Sequence, residues 1–174
     1  MPTESQLLRK DKILSSLVEV RQNILTEVSR LSDAQQNQVF LGIWTIKDLL
    51  AHLAGWDYTN KTAVNEIMAG RLPTFYTHHD HDWKAYNGML VAEYARDSSE
   101  ELIRLTKSAQ RDLVERLETI PPEMFNKDFG VRFRGYKVTI QRLLEAEVKD
   151  EQIHLQQIVD FIKESNDHSQ SSRP

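Results

Sequence analysis

Four long stretches of the chain repeat apolar residues at steps of three and four, and this periodicity most restricts the fold. They cover about residues 4–31, 45–70, 98–118 and 139–164. Such spacing places the apolar side chains on one face of an α-helix, and no run shows the alternation typical of a β-strand. Amphipathic helices of similar length bury their apolar faces against one another. The sequence therefore predicts an all-α, up-and-down four-helix bundle.

Start and stop signals support these limits. Asp48 follows Thr45, and Glu101 follows Ser98, at the spacing of an N-terminal capping box. We expect a polar loop over 32–44, a loop over 71–82 and a short extra helix over 83–95. The segment 123–138 is expected to form a tight turn with two short extended pieces. The expected inward face of the first helix is Leu7, Leu14, Leu17, Val18, Ile24, Leu25, Val28 and Leu31.

Length and charge narrow the class of protein. The 174 residues suit one domain, expected over 1–164, followed by a flexible tail over 165–174. A net charge of −4 offers no basic surface for phosphates, so we expect no nucleic-acid partner. The chain has no cysteine, no apolar run of membrane-spanning length and no signal-peptide core at its start. A cytoplasmic protein without a membrane partner is expected.

Ionisable residues interrupt the apolar face of the fourth helix. That face reads Ile140, Leu143, Leu144, Glu147, Asp150 or Glu151, His154, Ile158 and Ile162. A buried carboxylate or imidazole is costly unless it is paired or ligated, so something must compensate these groups.

The spacing of these groups suggests a metal site. Asp150 and His154 are four residues apart and project from one helical face. His52 lies between Leu49 and Trp56, on or beside the buried face of the second helix. If these two helices are neighbours, the three side chains can converge on one divalent cation.

Three metal-free interpretations stay open on spacing alone. His52 can be a hydrogen-bonded core histidine. Asp150 and Glu151 can belong to a solvated flank of the helix. A histidine–carboxylate pair can also satisfy both groups without a metal.

Two further groups of polar residues are candidates for a role at this site. The cluster His78–Asp82 is expected to be a solvated loop, with a lid over the helix site as the functional alternative. Arg132 and Arg134 are expected to be surface charges, with an anionic substrate group as their alternative ligand.

Two segments also carry a family resemblance. Residues 44–57, WTIKDLLAHLAGWD, resemble the first signature of the DinB-like (DNA-damage-inducible) four-helix-bundle superfamily. Residues 150–158, DEQIHLQQI, resemble its second signature, an HxxxH pair followed by Gln-Ile. The resemblance implies one divalent metal bound by three histidines, and therefore His52 and His154 as ligands. Asp150 stands at the remaining ligand position.

The resemblance implies a broad range of functions. Some members of the superfamily are thiol-dependent transferases or isomerases, and others resemble hydrolases. We therefore expect a metal-dependent enzyme acting on a small molecule. Zinc or nickel is the first choice of metal, iron or manganese the second, and a low-molecular-weight thiol is a candidate cofactor.

Further residues receive roles under this hypothesis. Glu147 or Glu151 would orient a ligand or act as general base. Trp56, Trp83 and Tyr86 are candidates for a pocket wall, with a plain core position expected for Trp56. The alternative function is a non-catalytic binding or dimerisation module in which the acid–histidine cluster is a buried hydrogen-bond network. A homodimer is expected in either case.

Overall fold

The computed structural model describes residues 1–79 and 83–171. Its elements are α1 (Glu4–Val28), α2 (Asp33–Gln36), β1 (Val39–Leu41), β2 (Trp44–Thr45), α3 (Ile46–Met68), α4 (Tyr76–His79), α5 (Trp83–Tyr94), α6 (Ser99–Glu118), a 3₁₀ turn (Pro122–Met124), β3 (Arg132–Phe133), β4 (Tyr136–Lys137) and α7 (Ile140–Ser171). Among these described residues, no helix is both long and apolar enough to cross a membrane.

Two of the long helices, α3 and α6, begin where their capping residues predict. The backbone N–H of Thr45 donates to Oδ2 of Asp48 at 2.8 Å, and the N–H of Asp48 donates back to the Thr45 hydroxyl at 3.3 Å. Ser98 caps α6 in the same way. These reciprocal bonds satisfy N–H groups that have no partner inside the helix.

The directions of the helices depend on α5. This helix packs antiparallel along α3 and carries the chain back to the end where α3 begins, where Lys47 donates to the carbonyl of Asp97 at 3.0 Å. Consequently α6 runs parallel to α3, and Arg116 near its end binds Asn65 near the end of α3. The all-α four-helix bundle with an extra helix between the second and third long helices is confirmed. Its long helices run up, down, down and up, which differs from the strict alternation predicted, because α5 returns the chain to the start of α3 before α6 begins.

A polar layer divides the core into two apolar clusters. The first cluster includes Ile13 and Leu17, and the second includes Ile24 and Leu50. Arg21 lies between them in α1 and is fully buried. The same face of α1 therefore supplies both clusters and the charge that separates them.

The structure corrects several boundaries. Ser32 caps the short helix α2, and a small β-hairpin formed by β1 and β2 follows, so 32–44 is not simply a polar loop. The expected loop 71–82 contains α4, and residues 80–82 lie outside the described part. The last helix continues to Ser171, beyond the expected end at residue 164.

Two side chains assigned to the inward face of α1 point outward. Leu7 is 44% exposed and Val18 is 47% exposed. The buried stripe instead follows the 3.6-residue repeat through Arg21, a charged residue that the apolar pattern passed over. The segment 123–138 forms the predicted turn and two extended pieces, with β3 pairing antiparallel to β4.

Candidate metal centre

The antiparallel packing of α3 against α7 brings together the three candidate ligands, here called the His–Asp cluster: His52, Asp150 and His154. Nε2 of His52 and Nε2 of His154 lie 3.9 and 3.3 Å from the same oxygen, Oδ2 of Asp150. The two imidazole rings lie edge to face with centroids 5.3 Å apart. One ligand atom from each residue lies within 4.8 Å of the others. The cluster is therefore compact enough to contact one divalent cation.

His52 is buried without the partner that a buried imidazole normally has. Within the described residues, neither of its ring nitrogens makes a hydrogen bond. Asp150 at 3.9 Å is too distant for one, and Trp44 packs against the ring with centroids 4.9 Å apart. Burial lowers the pKa of His52, so the ring is neutral at pH 7. A neutral, buried ring with a free lone pair fits a metal ligand.

Gln157 fixes the orientation of His154. Its side-chain oxygen Oε1 lies 2.8 Å from Nδ1 of the ring and accepts a hydrogen bond from it. The proton on Nδ1 leaves Nε2 of the neutral ring with its lone pair toward Asp150. Such an outer hydrogen bond is what orients metal-binding histidines in proteins.

Asp150 supplies the charge of the cluster. His154 and then His52 hold the pKa of Asp150 well below its usual range. Burial works to lower the pKa of His154, but the Asp150 carboxylate, helped by Gln157 and Glu151, raises it overall. A proton on Nε2 of His154 would occupy the place of a bound cation, so protons would compete with a metal at this cluster. The Asp150 side chain is 53% exposed, which gives solvent a path to the cluster.

A second group of charges, the arginine network of Arg21, Asp57 and Glu151, lies deeper in the core. Arg21 donates to both oxygens of Glu151, at 2.9 and 2.7 Å, and to both oxygens of Asp57, at 2.7 and 3.2 Å. Burial raises the pKa of Asp57, and Arg21 limits that rise. The sequence hypothesis did not include Arg21 or Asp57. The signal for Arg21 was its position between Leu17 and Ile24 on an apolar stripe.

Glu147 lies between the arginine network and solvent. One of its oxygens lies within 4.8 Å of an oxygen of Asp57 and of Glu151. Burial, and then the charges of Glu151 and Asp57, raise the pKa of Glu147 to about 8. Glu147 therefore keeps its proton to a higher pH than a surface glutamate does.

A cavity of about 490 Å³ opens beside the His–Asp cluster. Its volume lies within the range of small-molecule sites, about 300 to 1,000 Å³. The lining residues are Trp44, His52, Trp56, Asn60, Phe75, Tyr76, Trp83, Asn87, Lys137, Val138, Arg142, Leu143, Ala146, Glu147, Asp150 and His154. All three cluster residues and Glu147 thus face one cavity.

The aromatic candidates divide between this cavity and a neighbouring one. Trp56 and Trp83 line the cavity of the His–Asp cluster, and their ring centroids lie 5.7 Å apart. Trp56 is partly buried: it packs against the first apolar cluster, as expected of a core residue, and it also lines the cavity. Tyr86 lines a separate, smaller pocket, where its hydroxyl lies 3.1 Å from that of Thr59.

The two arginines considered for an anionic group do not line the cavity. Arg132 binds both oxygens of Asp128, at 2.7 and 2.8 Å, and the guanidinium of Arg134 lies over the ring of Phe133. Arg142, which the sequence hypothesis did not include, is a cation that does line it.

The cluster His78–Asp82 is described only in part. His78 belongs to α4, and its ring lies against Tyr86 with centroids 4.9 Å apart, away from the His–Asp cluster. Residues 80–82 lie outside the described part, so the lid hypothesis stays a prediction.

Fold and site together define a helical bundle with a candidate histidine–aspartate metal centre facing a cavity. A family model described as the DinB superfamily matches residues 16–158. The chain therefore belongs to the DinB superfamily.

The fold of the chain is similar to that of a solved structure. A crystal structure of an uncharacterised protein from Escherichia coli UTI89 has the same fold, with a TM-score of 0.68 and 15% sequence identity. The likeness covers 90% of this chain and 94% of that one. Among curated proteins, none matches the chain.

Proposed function

We propose that the protein is a divalent-metal-dependent enzyme acting on a small molecule, with the metal held between α3 and α7. The ligands are His52, Asp150 and His154. One observation supports this most strongly. The buried ring of His52, which has no hydrogen-bond partner among the described residues, faces a charged carboxylate and a second imidazole at the cavity wall. A bound cation satisfies this ring, whereas a purely structural role leaves it unpaired.

The donor set restricts the metal. Two imidazoles and one carboxylate suit zinc, nickel, iron or manganese, with zinc or nickel as our first choice. Three protein ligands leave room for water or substrate, as in catalytic rather than structural sites. When bound, the metal supplies Lewis-acid chemistry that lowers the pKa of a water or of a low-molecular-weight thiol.

Glu147 is our candidate for proton transfer. It lines the same cavity as the His–Asp cluster, and its raised pKa of about 8 lies close to neutral pH, where a general acid or base is most effective. Glu151 is less suited, because both of its oxygens bind Arg21. We propose instead that Glu151, held by Arg21, positions Glu147 and Asp150 on α7.

The reaction belongs to one of two classes, a thiol-dependent transfer or isomerisation, or a hydrolysis. Both need an activated nucleophile and a partly dry site. Trp56 and Trp83 cover one wall of the cavity and exclude water from that side. The aromatic wall also suits a substrate with an apolar part.

The alternative is a non-catalytic module in which the acid–histidine cluster only fixes packing. The arginine network shows what such a role looks like in this protein, since every carboxylate oxygen of Asp57 and Glu151 is paired. His52 differs, because neither of its ring nitrogens makes a hydrogen bond in the part of the chain that the structure describes. The homodimer stays a prediction. Leu7 and Leu8 of α1 are exposed apolar side chains and are candidates for such a contact.

Metal binding tests the proposal directly. Tag-free protein stripped with chelator should bind zinc or nickel at one ion per chain in a calorimetric titration. His52→Ala and His154→Ala should weaken binding by roughly 100-fold each. His78→Ala is the matched control, because His78 lies outside the cluster, and it should bind as the wild type does.

The outcomes separate the two functions. Binding lost in both cluster variants and kept in the control supports a metal enzyme. A wild-type protein that takes up no metal removes the proposed mechanism and leaves the packing module.

A further inference from the structure

Asn60 is a buried amide whose side chain makes no hydrogen bond of normal geometry within the described residues. It lies in α3, one turn beyond Trp56 on the same face, and is 1% exposed. Within the described residues, neither Oδ1 nor Nδ2 of its side chain makes a hydrogen bond. Because both atoms lack partners, turning the amide by half a rotation leaves the same two groups unpaired.

The side chain of Asn60 lies at the wall of the cavity beside the His–Asp cluster. Asn60 and Glu147 are both cavity-lining residues, on α3 and α7. Asn60 lies near enough to Glu147 to lower its pKa against the larger effect of burial, but no hydrogen bond of normal geometry joins them. Burying a primary amide without partners is unfavourable, so a ligand that supplies them gains affinity.

We propose that Asn60 is a substrate-recognition residue and that the cavity takes a small molecule with an apolar, aromatic-compatible body and a carboxamide-like group. That group is a primary amide, or the cis amide edge of a lactam or ureide. Such a group offers an acceptor for Nδ2 and a donor for Oδ1 on adjacent atoms, so it pairs with Asn60 through two hydrogen bonds.

Competing groups fit less well. A carboxylate offers only acceptors, which leaves Oδ1 of Asn60 unpaired. Lys137 and Arg142 line the same cavity and can pair with a carboxylate, but that pairing gives Oδ1 of Asn60 no donor. A ketone can accept from Nδ2 but offers no donor to Oδ1.

The apolar body follows from the wall next to Asn60. Trp56 packs against Phe75 with centroids 5.4 Å apart and against Trp83 at 5.7 Å. These three rings line the same cavity as Asn60 and offer edges and faces to an aromatic ligand. The inference rests on the proposed function in taking this cavity as the substrate site, with the reacting atoms toward His52.

The test compares three probes of one shape: benzamide, acetophenone and benzoate. They are titrated by NMR into metal-free protein, so the result does not depend on metal binding. Benzamide should bind about fivefold more tightly than either competitor, as one extra hydrogen bond predicts. The side-chain NH₂ signals of Asn60, assigned through bonds to its own backbone, should shift on addition of benzamide.

Two variants locate the preference. Asn60→Leu should bind benzamide and acetophenone equally. Asn65→Leu is the matched control, because Asn65 lies on the same helix but outside the cavity lining, and its Oδ1 accepts from Nε of Arg116 at 2.9 Å. It should keep the wild-type preference.

Each contrary result is decisive. Equal binding of the three probes, no binding at all, or a preference that survives in Asn60→Leu overturns the assignment. If that variant fails to fold, the wild-type ranking and the Asn60 NH₂ shift decide. A separate zinc titration of the same wild-type sample shows whether the proposed function fails, which leaves the probe ranking unaffected.

Discussion

Nη2 of Arg21 lies 2.7 Å from Oε1 of Glu151, across the contact between α1 and α7, where neither side chain reaches solvent. The same guanidinium binds Asp57 of α3 at 2.7 Å. Nη1 of Arg21 also donates to the carbonyl of Thr106 in α6 at 3.4 Å, so one cation joins all four long helices at the level of the candidate site. Two carboxylates and one arginine leave a net negative charge, and the charges of Glu151 and Asp57 help to raise the pKa of the neighbouring Glu147.

Removing Arg21 should destabilise the bundle strongly. Arg21→Met leaves two buried carboxylates unpaired, so we expect the free energy of unfolding to fall by roughly 3 to 5 kcal/mol in urea titrations. Arg30→Met is the control, since Arg30 pairs with Glu27 at the surface and is 62% exposed. That change should cost less than about 1 kcal/mol. Similar losses in the two variants would contradict the role of the network.

Glu147 should make stability depend on pH. Its pKa is about 8 in the folded protein against 4.5 ordinarily, so between these values the folded state binds one more proton. Stability then falls as pH rises through this window. Glu147→Gln stays neutral and should gain about 2 to 4 kcal/mol over the wild type between pH 4.5 and pH 8.5.

The pH measurement uses metal-free protein and a control on the same helix. Glu145→Gln replaces an exposed residue of α7, and its stability should follow the wild-type pH profile. A Glu147→Gln profile parallel to that of the wild type would show that Glu147 ionises normally.

Gln157 should affect metal affinity without holding the fold together. Gln157→Ala removes the acceptor that orients His154, so zinc affinity should fall by roughly tenfold in calorimetry. Gln156→Ala is matched in residue type and helix, but Gln156 binds Asp160 on the exposed side, so affinity should not change. Equal affinities for all three proteins would remove Gln157 from the metal centre.

Gly55 should be required for the approach of α5 to α3. A Cβ at Gly55 would lie 2.9 Å from Cβ of Leu90 and 3.1 Å from Tyr94. Gly55→Ala should therefore cost about 1 to 3 kcal/mol, despite the better helix propensity of alanine. Gly88→Ala, where a Cβ meets nothing within 4 Å, should stabilise by roughly 0.5 to 1 kcal/mol in thermal unfolding. Stabilisation by both changes would show that the contact tolerates a methyl group.

Part of the candidate site could be predicted from the sequence, because it depends on residues separated by only one helical turn. Asp150 and His154 share a helical face at any tertiary arrangement, and His52 lies on the apolar stripe of its own helix. That these two faces meet, with Asp150 within 3.9 Å of both rings, required the packing of α3 against α7. The sequence therefore identified the three candidate ligands, but it could not establish that they lie close together.

The sequence by itself determined the four long helices, the caps of α3 and α6 and the polar interruption of α7, because each depends on residues a few positions apart. The pair Thr45 and Asp48 is an example, since three residues of separation suffice to form the cap. Only the tertiary structure decided the partners of Arg21, which lie 36 and 130 residues away at Asp57 and Glu151. It also decided the parallel course of α6 and the unpaired amide of Asn60. These features depend on which helix faces meet, and periodicity specifies a face without specifying its neighbour.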